Sequence, residues 1–121
     1  MTETAYTRLS RVPEPLEREL REVAEESGAG LKAVVEAVLA PRITREAVVA
    51  GQRRLAELDL AAGEVDLGVH LPRVMHDQLR ELATAARVSR GDITTLILAG
   101  CAGRIREEVG AALAPATAGA D

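Results

Sequence analysis

The chain has 121 residues and a formal net charge of −4, and 47% of its residues are apolar. Tyr6 is its only aromatic residue and Cys101 its only cysteine, which excludes an aromatic core and an intrachain disulfide. Neither a signal peptide nor an apolar run of about 18 residues is recognisable, so we expect no membrane partner.

The first half of the chain predicts a strand followed by two helices. Residues 6–12 are predicted to be extended, and Pro13 with Pro15 favours a helix start directly afterwards. Residues 27–30 break the apolar periodicity, and Pro41 stops the second helix. The stripes expected to face the core are Leu16, Leu20, Val23 and Ala24 in the first helix and Leu31, Val34, Val35, Val38 and Leu39 in the second.

The middle of the chain predicts one more helix. Thr44 is a suitable N-cap for a helix that runs to about Leu58. The Ala-Ala-Gly sequence at 61–63 predicts a turn into the next strand.

The second half shows the same order with clearer signals. Residues 65–71 alternate between apolar and other side chains, which predicts a half-buried strand that ends at Pro72. An amphipathic helix follows and breaks at Arg87, after which Ser89 is predicted to cap a second, strongly apolar helix. We expect that helix to include Ile105 and Val109, and we expect residues 110–121 to form a disordered tail.

The two halves nearly repeat each other at an offset of about 59 positions. The shift aligns Val12-Pro13 with Leu71-Pro72, Leu20-Arg21-Glu22 with Leu79-Arg80-Glu81, and Leu39-Ala40 with Leu98-Ala99. Each copy is near the size limit below which a unit cannot bury enough surface to fold alone, so we expect the copies to fold together. The predicted units are residues 1–40 and 64–109, joined by a connecting helix and linker at 41–63.

Each half has the order strand, proline, helix, short turn and second helix. This order resembles the ribbon-helix-helix (MetJ/Arc-type) family of DNA-binding proteins. Residues 11–28, RVPEPLERELREVAEESG, resemble Arc-type members, and HLPRVMHDQLRELATAARVSRGDI in the second half resembles the general family pattern. Two copies in one chain resemble the plan of TraY-like relaxosome proteins. The resemblance implies a mainly α fold with a short antiparallel two-stranded β-ribbon, in which tandem repeats form a pseudo-dimeric four-helix core. The sequence leaves open whether the two repeats pair within one chain or between two chains.

The resemblance also implies which residues contact DNA. In the family, outward side chains of the ribbon read base edges in the major groove, and the start of the second helix holds a phosphate. Counting back from the prolines, the base-reading positions are Thr7, Leu9 and Arg11 in the first strand and Asp66, Gly68 and His70 in the second. The phosphate-contacting candidates are Gly30, Leu31, Lys32, Arg87, Ser89 and Arg90.

The first strand contains a conflict. The same counting buries Arg8 and Ser10 and exposes Leu9, which is the reverse of what burial favours. A slip of one residue, such as a bulge produces, would exchange the two faces. Arg8 and Ser10 are therefore second-choice DNA contacts, while Arg11 is the preferred base reader because a guanidinium donates two hydrogen bonds to guanine.

Each candidate also has a purely structural interpretation. Arg11 is equally well explained as a solvated charge, and Arg87 and Arg90 as surface positions at a helix start. His70 and His76 have no accompanying ligand cluster in the sequence, so no metal or cofactor is expected. No nucleophile, acid–base pair or glycine-rich phosphate loop is recognisable, so we expect a protein that is not an enzyme.

The leading interpretation is a sequence-specific double-stranded DNA-binding protein, acting as a transcriptional repressor or as a plasmid or relaxosome accessory factor. It is expected in the bacterial cytoplasm, associated with the nucleoid or a plasmid, and as a homo-oligomer on DNA. One alternative is an antitoxin that represses its own promoter and binds a toxin. The other is a protein-interaction module without DNA binding, which the acidic balance, Asp66 and Gly68 favour.

Overall fold

A computed structural model describes residues 3–58 and 63–113 of the chain. The fold is mainly helical, with a two-stranded antiparallel ribbon whose strands are each followed by helices. In chain order the elements are β1 (Thr4–Pro13), α1 (Glu14–Ser27), α2 (Gly30–Leu39), a 3₁₀ turn (Ala40–Arg42), α3 (Arg45–Glu57), β2 (Glu64–Pro72), α4 (Arg73–Ala86), α5 (Arg90–Ala99) and α6 (Ile105–Leu113).

The helix boundaries follow from local chemistry that the sequence displays. Helix α1 ends at Gly28, which adopts a left-handed conformation with φ 70° that favours glycine. The Thr44 hydroxyl accepts the Ala47 N–H at 3.2 Å at the start of α3, and the Ser89 hydroxyl accepts the Asp92 N–H at 3.0 Å at the start of α5. The predicted helix caps are therefore confirmed.

One continuous aliphatic core lies between the inner face of the ribbon and the helices. Helix α1 packs on α2 and α4 packs on α5, while α3 packs on α5 and α6 packs on α2, so the third helix of each half packs on the second helix of the other half. Cys101 is buried in this core, and loss of solvation raises the pKa of its thiol. The fully buried large side chains are Leu9, Leu16, Leu20, Leu39, Leu71, Leu79, Ile93, Ile97, Leu98 and Ile105.

The prediction of one long helix through Val109 is wrong. Helix α5 ends at Ala99, and α6 begins at Ile105 after a turn that contains Gly103 with φ 87°. The Glu19 carboxylate of α1 accepts the Gly103 N–H at 2.7 Å and the Ile105 N–H at 3.0 Å, so a distant side chain stabilises the start of α6.

The predicted end of the second unit at residue 109 therefore falls inside α6. Residues 110–113 are helical, and the remainder of the predicted tail, 114–121, lies outside the described residues. The predicted turn at 61–63 lies there too, except for Gly63.

Candidate nucleic-acid interface

The ribbon is formed by antiparallel pairing of β1 with β2 within the one chain. Leu9 lies opposite Leu67 and Val12 lies opposite Val65, so two residues of β1, Ser10 and Arg11, oppose the single residue Asp66 of β2. This is a β-bulge, which shifts the side-chain alternation of β1 by one residue.

Because of the bulge, two of the six predicted base-reading positions are wrong. Thr7 and Leu9 are both fully buried, because the two residues of the bulge shift the count from Pro13 and place them on the core side. They are not available for base contact. Arg8 is exposed and Ser10 is partly buried, so of the second-choice pair Arg8 lies on the outer face.

The other predicted ribbon positions are exposed. Asp66, Gly68 and His70 alternate with the buried Leu67, Val69 and Leu71 of β2, and Arg11 is exposed at the bulge. The outer face of the ribbon, which we call the ribbon face, consists of Thr4, Tyr6, Arg8, Arg11, Glu64, Asp66, Gly68 and His70.

Asp66 connects the two arginines of the ribbon face. Its Oδ1 accepts the backbone N–H of Arg11 at 3.2 Å, and its Oδ2 forms an ion pair with Arg8 Nη2. Arg11 has φ 53°, a left-handed conformation that a residue with a Cβ adopts at some energetic cost, and the bond from Asp66 satisfies the N–H that the bulge leaves outside the ladder.

The same contacts fix the charge states. The hydrogen bond from Arg8, with the Arg11 N–H and the positive charge of Arg8, holds the pKa of Asp66 below its usual range. Asp66 in turn raises the pKa of the Arg8 guanidinium. Both groups are solvent-accessible and remain charged, so the pair carries no net charge at neutral pH.

Tyr6 is a member of the ribbon face that sequence reasoning missed. Its side chain is 57% exposed and meets the His70 ring edge to face, with the ring centroids 5.5 Å apart. A Cβ at Gly68 would lie 2.0 Å from the Tyr6 hydroxyl oxygen, so the absence of a side chain at Gly68 makes room for the tyrosine. The signal in the sequence was that Tyr6 is the only aromatic residue of the chain.

Beneath the ribbon, Thr7 and His76 join β1 to α4. Thr7 Oγ1 and His76 Nδ1 are 3.0 Å apart and share a hydrogen bond. Loss of solvation is the largest cause that lowers the pKa of His76, and the positive charge of Arg90 is the next. Both effects favour the neutral form of His76, which lies below a strand whose other face is exposed.

The start of α5 is anchored to the bulge. A Cβ at Gly91 would lie 2.8 Å from the carbonyl oxygen of Arg8 and 2.4 Å from the Ser10 hydroxyl oxygen, so only glycine allows this approach. The Thr95 hydroxyl donates to the carbonyl oxygen of Ser10 at 2.7 Å. These contacts place the first turn of α5 beside the ribbon, and sequence reasoning identified neither of them.

The predicted phosphate contacts divide between two helix starts. At α5, Ser89 acts as the cap and Arg87 adopts a left-handed conformation with φ 60°. The Nε of Arg90 is buried, without a hydrogen-bond partner among the described atoms. At α2, Gly30 and Lys32 are exposed, Leu31 is partly buried, and Ala29 provides no side-chain cap.

Comparison of the chain with protein-family models, curated proteins and solved structures gives no match. Residues 3–58 and 63–113 contain no group of three His, Cys, Asp or Glu side chains arranged for a metal ion. Within the same ranges, each helix is too short or too polar to traverse a bilayer. The ribbon face brings exposed arginine, aspartate, histidine and tyrosine side chains together on a pair of hydrogen-bonded strands.

Proposed function

We propose that the protein binds double-stranded DNA in a sequence-specific manner by inserting its ribbon into the major groove. The observation that carries the proposal is the paired ribbon, which buries one face in the core and presents arginine, histidine and tyrosine side chains on the other. A two-stranded β-ribbon fits the width of the major groove, where each base pair displays a distinct set of donors and acceptors.

In this proposal the two halves are tandem ribbon-helix-helix repeats that form a pseudo-dimer. Helices α1 and α4 have 14 residues each, and α2 and α5 have 10 each. Helix α5 of the second half contacts β1 of the first, and α2 of the first half contacts β2 of the second. This reciprocal exchange is the pattern of a two-fold assembly, and it supports a four-helix core made of α1, α2, α4 and α5.

The proposed chemistry uses the ribbon face for sequence and the helix starts for position. Arg8 and Arg11 donate to guanine, His70 and Tyr6 contact neighbouring base edges, and Asp66 accepts from a cytosine amino group. The N–H groups at the starts of α2 and α5 hold phosphates, together with Lys32, Arg87 and Arg90. Because β1 and β2 present different side chains, the preferred site is asymmetric.

The biological role that fits this activity is that of a transcriptional repressor or a plasmid or relaxosome accessory factor, and not that of an enzyme. Repeated sites would be filled by several copies of the chain in the bacterial cytoplasm. Because the chain has a net negative charge, its affinity for DNA arises from the local arginines and depends strongly on the salt concentration.

Fluorescence anisotropy with labelled duplexes tests the proposal. The wild-type protein is first used to select its preferred site from a random-sequence library. We expect Arg8→Ala and Arg11→Ala each to weaken binding to the selected site by roughly 5- to 150-fold, the range for loss of one good base contact. The control is Arg53→Ala, which removes an exposed arginine from α3 and leaves binding unchanged. No binding to any duplex at about 50 mM salt would refute the proposal.

A second candidate function is binding of a protein partner, with or without DNA. It is favoured by an open groove of about 170 Å³ between α3 and α4, beside Val49, which is 44% exposed. This groove suits an antitoxin, whose connecting helix α3 would hold a toxin polypeptide. Val49→Asp would then abolish toxin binding and leave DNA binding intact, whereas a pure interaction module binds no duplex at all. The groove is lined by Arg45, Val48, Val49, Gln52, Leu82, Ala85 and Ala86.

A further inference from the structure

Two acidic residues, Glu64 and Asp66, lie on the ribbon face, and the single carboxylate of Asp66 holds two groups at once. The Arg8 guanidinium is paired with Oδ2, and the Arg11 N–H at the bulge is bound by Oδ1 at 3.2 Å. Arg8 belongs to β1 and Asp66 to β2, and they are diagonal neighbours on the same face, because Arg8 lies opposite Gly68. One carboxylate therefore determines both where Arg8 points and how the bulge is closed.

This arrangement has opposite effects on the two modes of DNA binding. Non-specific binding depends on free cations that neutralise phosphates, and Arg8 is already neutralised by Asp66. Specific binding depends on donors and acceptors aimed at base edges, and the ion pair presents a guanidinium beside a carboxylate oxygen. Those two groups match the acceptors of guanine and the amino group of its paired cytosine.

We infer that Asp66 is a specificity-determining residue, which withholds Arg8 from phosphates and directs the Arg8–Asp66 pair to a C·G base pair. The inference rests on the proposed DNA-binding function. It identifies an acidic side chain, at first sight unfavourable for a DNA-binding surface, as the element that suppresses non-specific affinity. On random duplex DNA, Arg8 then contributes little, and on the preferred site it contributes through a base contact.

The test compares Asp66→Asn with the wild type. Asparagine has the same shape, and its amide oxygen still accepts the Arg11 N–H, but it lacks the charge that holds Arg8. Circular dichroism first establishes that the variant is folded. Glu107→Gln is the matched control, because it removes one negative charge from an exposed position on α6, which packs on α1 and α2 away from the ribbon.

Two measurements are made on each variant. The first is the dependence of affinity for random duplex on salt, between about 50 and 200 mM, which reports the number of phosphates neutralised. We expect the magnitude of the slope to increase by about 1 in Asp66→Asn, and to return to the wild-type value in the double variant that also carries Arg8→Ala. The second is selection of preferred sites from a random library, in which one C·G position of the wild-type motif should lose its preference by roughly 5- to 150-fold.

The outcomes separate this inference from the function on which it rests. An unchanged slope and an unchanged motif in Asp66→Asn would overturn the specificity role while DNA binding stands. An equal increase in slope in Glu107→Gln would overturn it as well, because net charge alone would then explain the effect. If the wild-type protein binds no duplex, the proposed function fails and the inference fails with it.

Discussion

At Gly51, helix α3 approaches the backbone of α5 so closely that no side chain fits between them. A Cβ at this position would lie 1.8 Å from the carbonyl oxygen of Leu96, whereas ordinary contact begins at 3.4 Å, so Gly51→Ala must push the two helices apart by roughly 1.6 Å. The obstacle is backbone and cannot rotate away. Overpacking of this kind costs about 3 kcal/mol, the upper end of the usual range, and the better helix propensity of alanine offsets about 1 kcal/mol.

The expected net destabilisation is therefore about 2 kcal/mol, which for a chain of this length lowers the Tm by roughly 6–12 °C. The control is Gly110→Ala in α6, where the added Cβ meets no atom within 4 Å and alanine should stabilise by up to about 1 kcal/mol. Urea unfolding followed by circular dichroism measures both variants. If Gly51→Ala stabilised the protein as much as Gly110→Ala, the packing of α3 on α5 described above would be refuted.

Three further perturbations test the supports of the fold and of the ribbon. Glu19→Ala should lower the free energy of unfolding by about 0.5–2 kcal/mol, because α6 loses its cap, and an equal effect of Glu25→Ala, at an exposed position on α1, would contradict that role. Thr95→Val should cost about 1–3 kcal/mol in urea unfolding, since the buried Thr95 side chain loses its hydrogen bond to the partly buried Ser10 carbonyl, and an unchanged midpoint would count against that bond. The pKa of His76 is lowered from 6.5 in the folded protein, so the unfolded chain binds the proton more tightly. The free energy of unfolding therefore falls as the pH drops below about 6.5 towards the pKa of His76 in the folded protein. In His76→Gln this part of the pH dependence should disappear, and its persistence would exclude His76 as its source.

Several elements were predictable from sequence because their signals are local. The strict alternation of β2, the helix cap at Ser89 and the glycine break at residue 28 each depend on residues a few positions apart. The pairing of the two leading strands was implied by the resemblance to ribbon-helix-helix proteins, which left pairing within and between chains open, and the chain forms that ribbon within itself.

The errors arise where distant residues decide the local structure. The register of β1 depends on a bulge that is closed by Asp66, 55 positions away in the chain, so counting from Pro13 placed Thr7 and Leu9 on the wrong face. The apolar mismatch at Leu9 was nevertheless a sequence signal for the slip. In the same way, α6 begins where Glu19 accepts two backbone N–H groups, and nothing near Ile105 in the sequence indicates that contact.

The sequence predicted that the ribbon carries the candidate site, but it did not predict which side chains contact one another there. The positions on β2 were identified correctly as exposed, and Arg11 is exposed as expected. The ion pair between Arg8 and Asp66 and the placement of Tyr6 over Gly68 are cross-strand contacts, which depend on the register and so lie beyond what one strand's sequence indicates.

The proposed function requires that the outer face of the β1–β2 ribbon enters the DNA major groove. Backbone amide chemical shifts of the labelled protein, recorded during titration with its selected duplex, test this claim most directly. We expect the large changes to be confined to β1, β2 and the first turns of α2 and α5, with the Arg8 and His70 amides among them. Changes centred on α3 or α6 with an unaffected ribbon, or no changes at all, would contradict it.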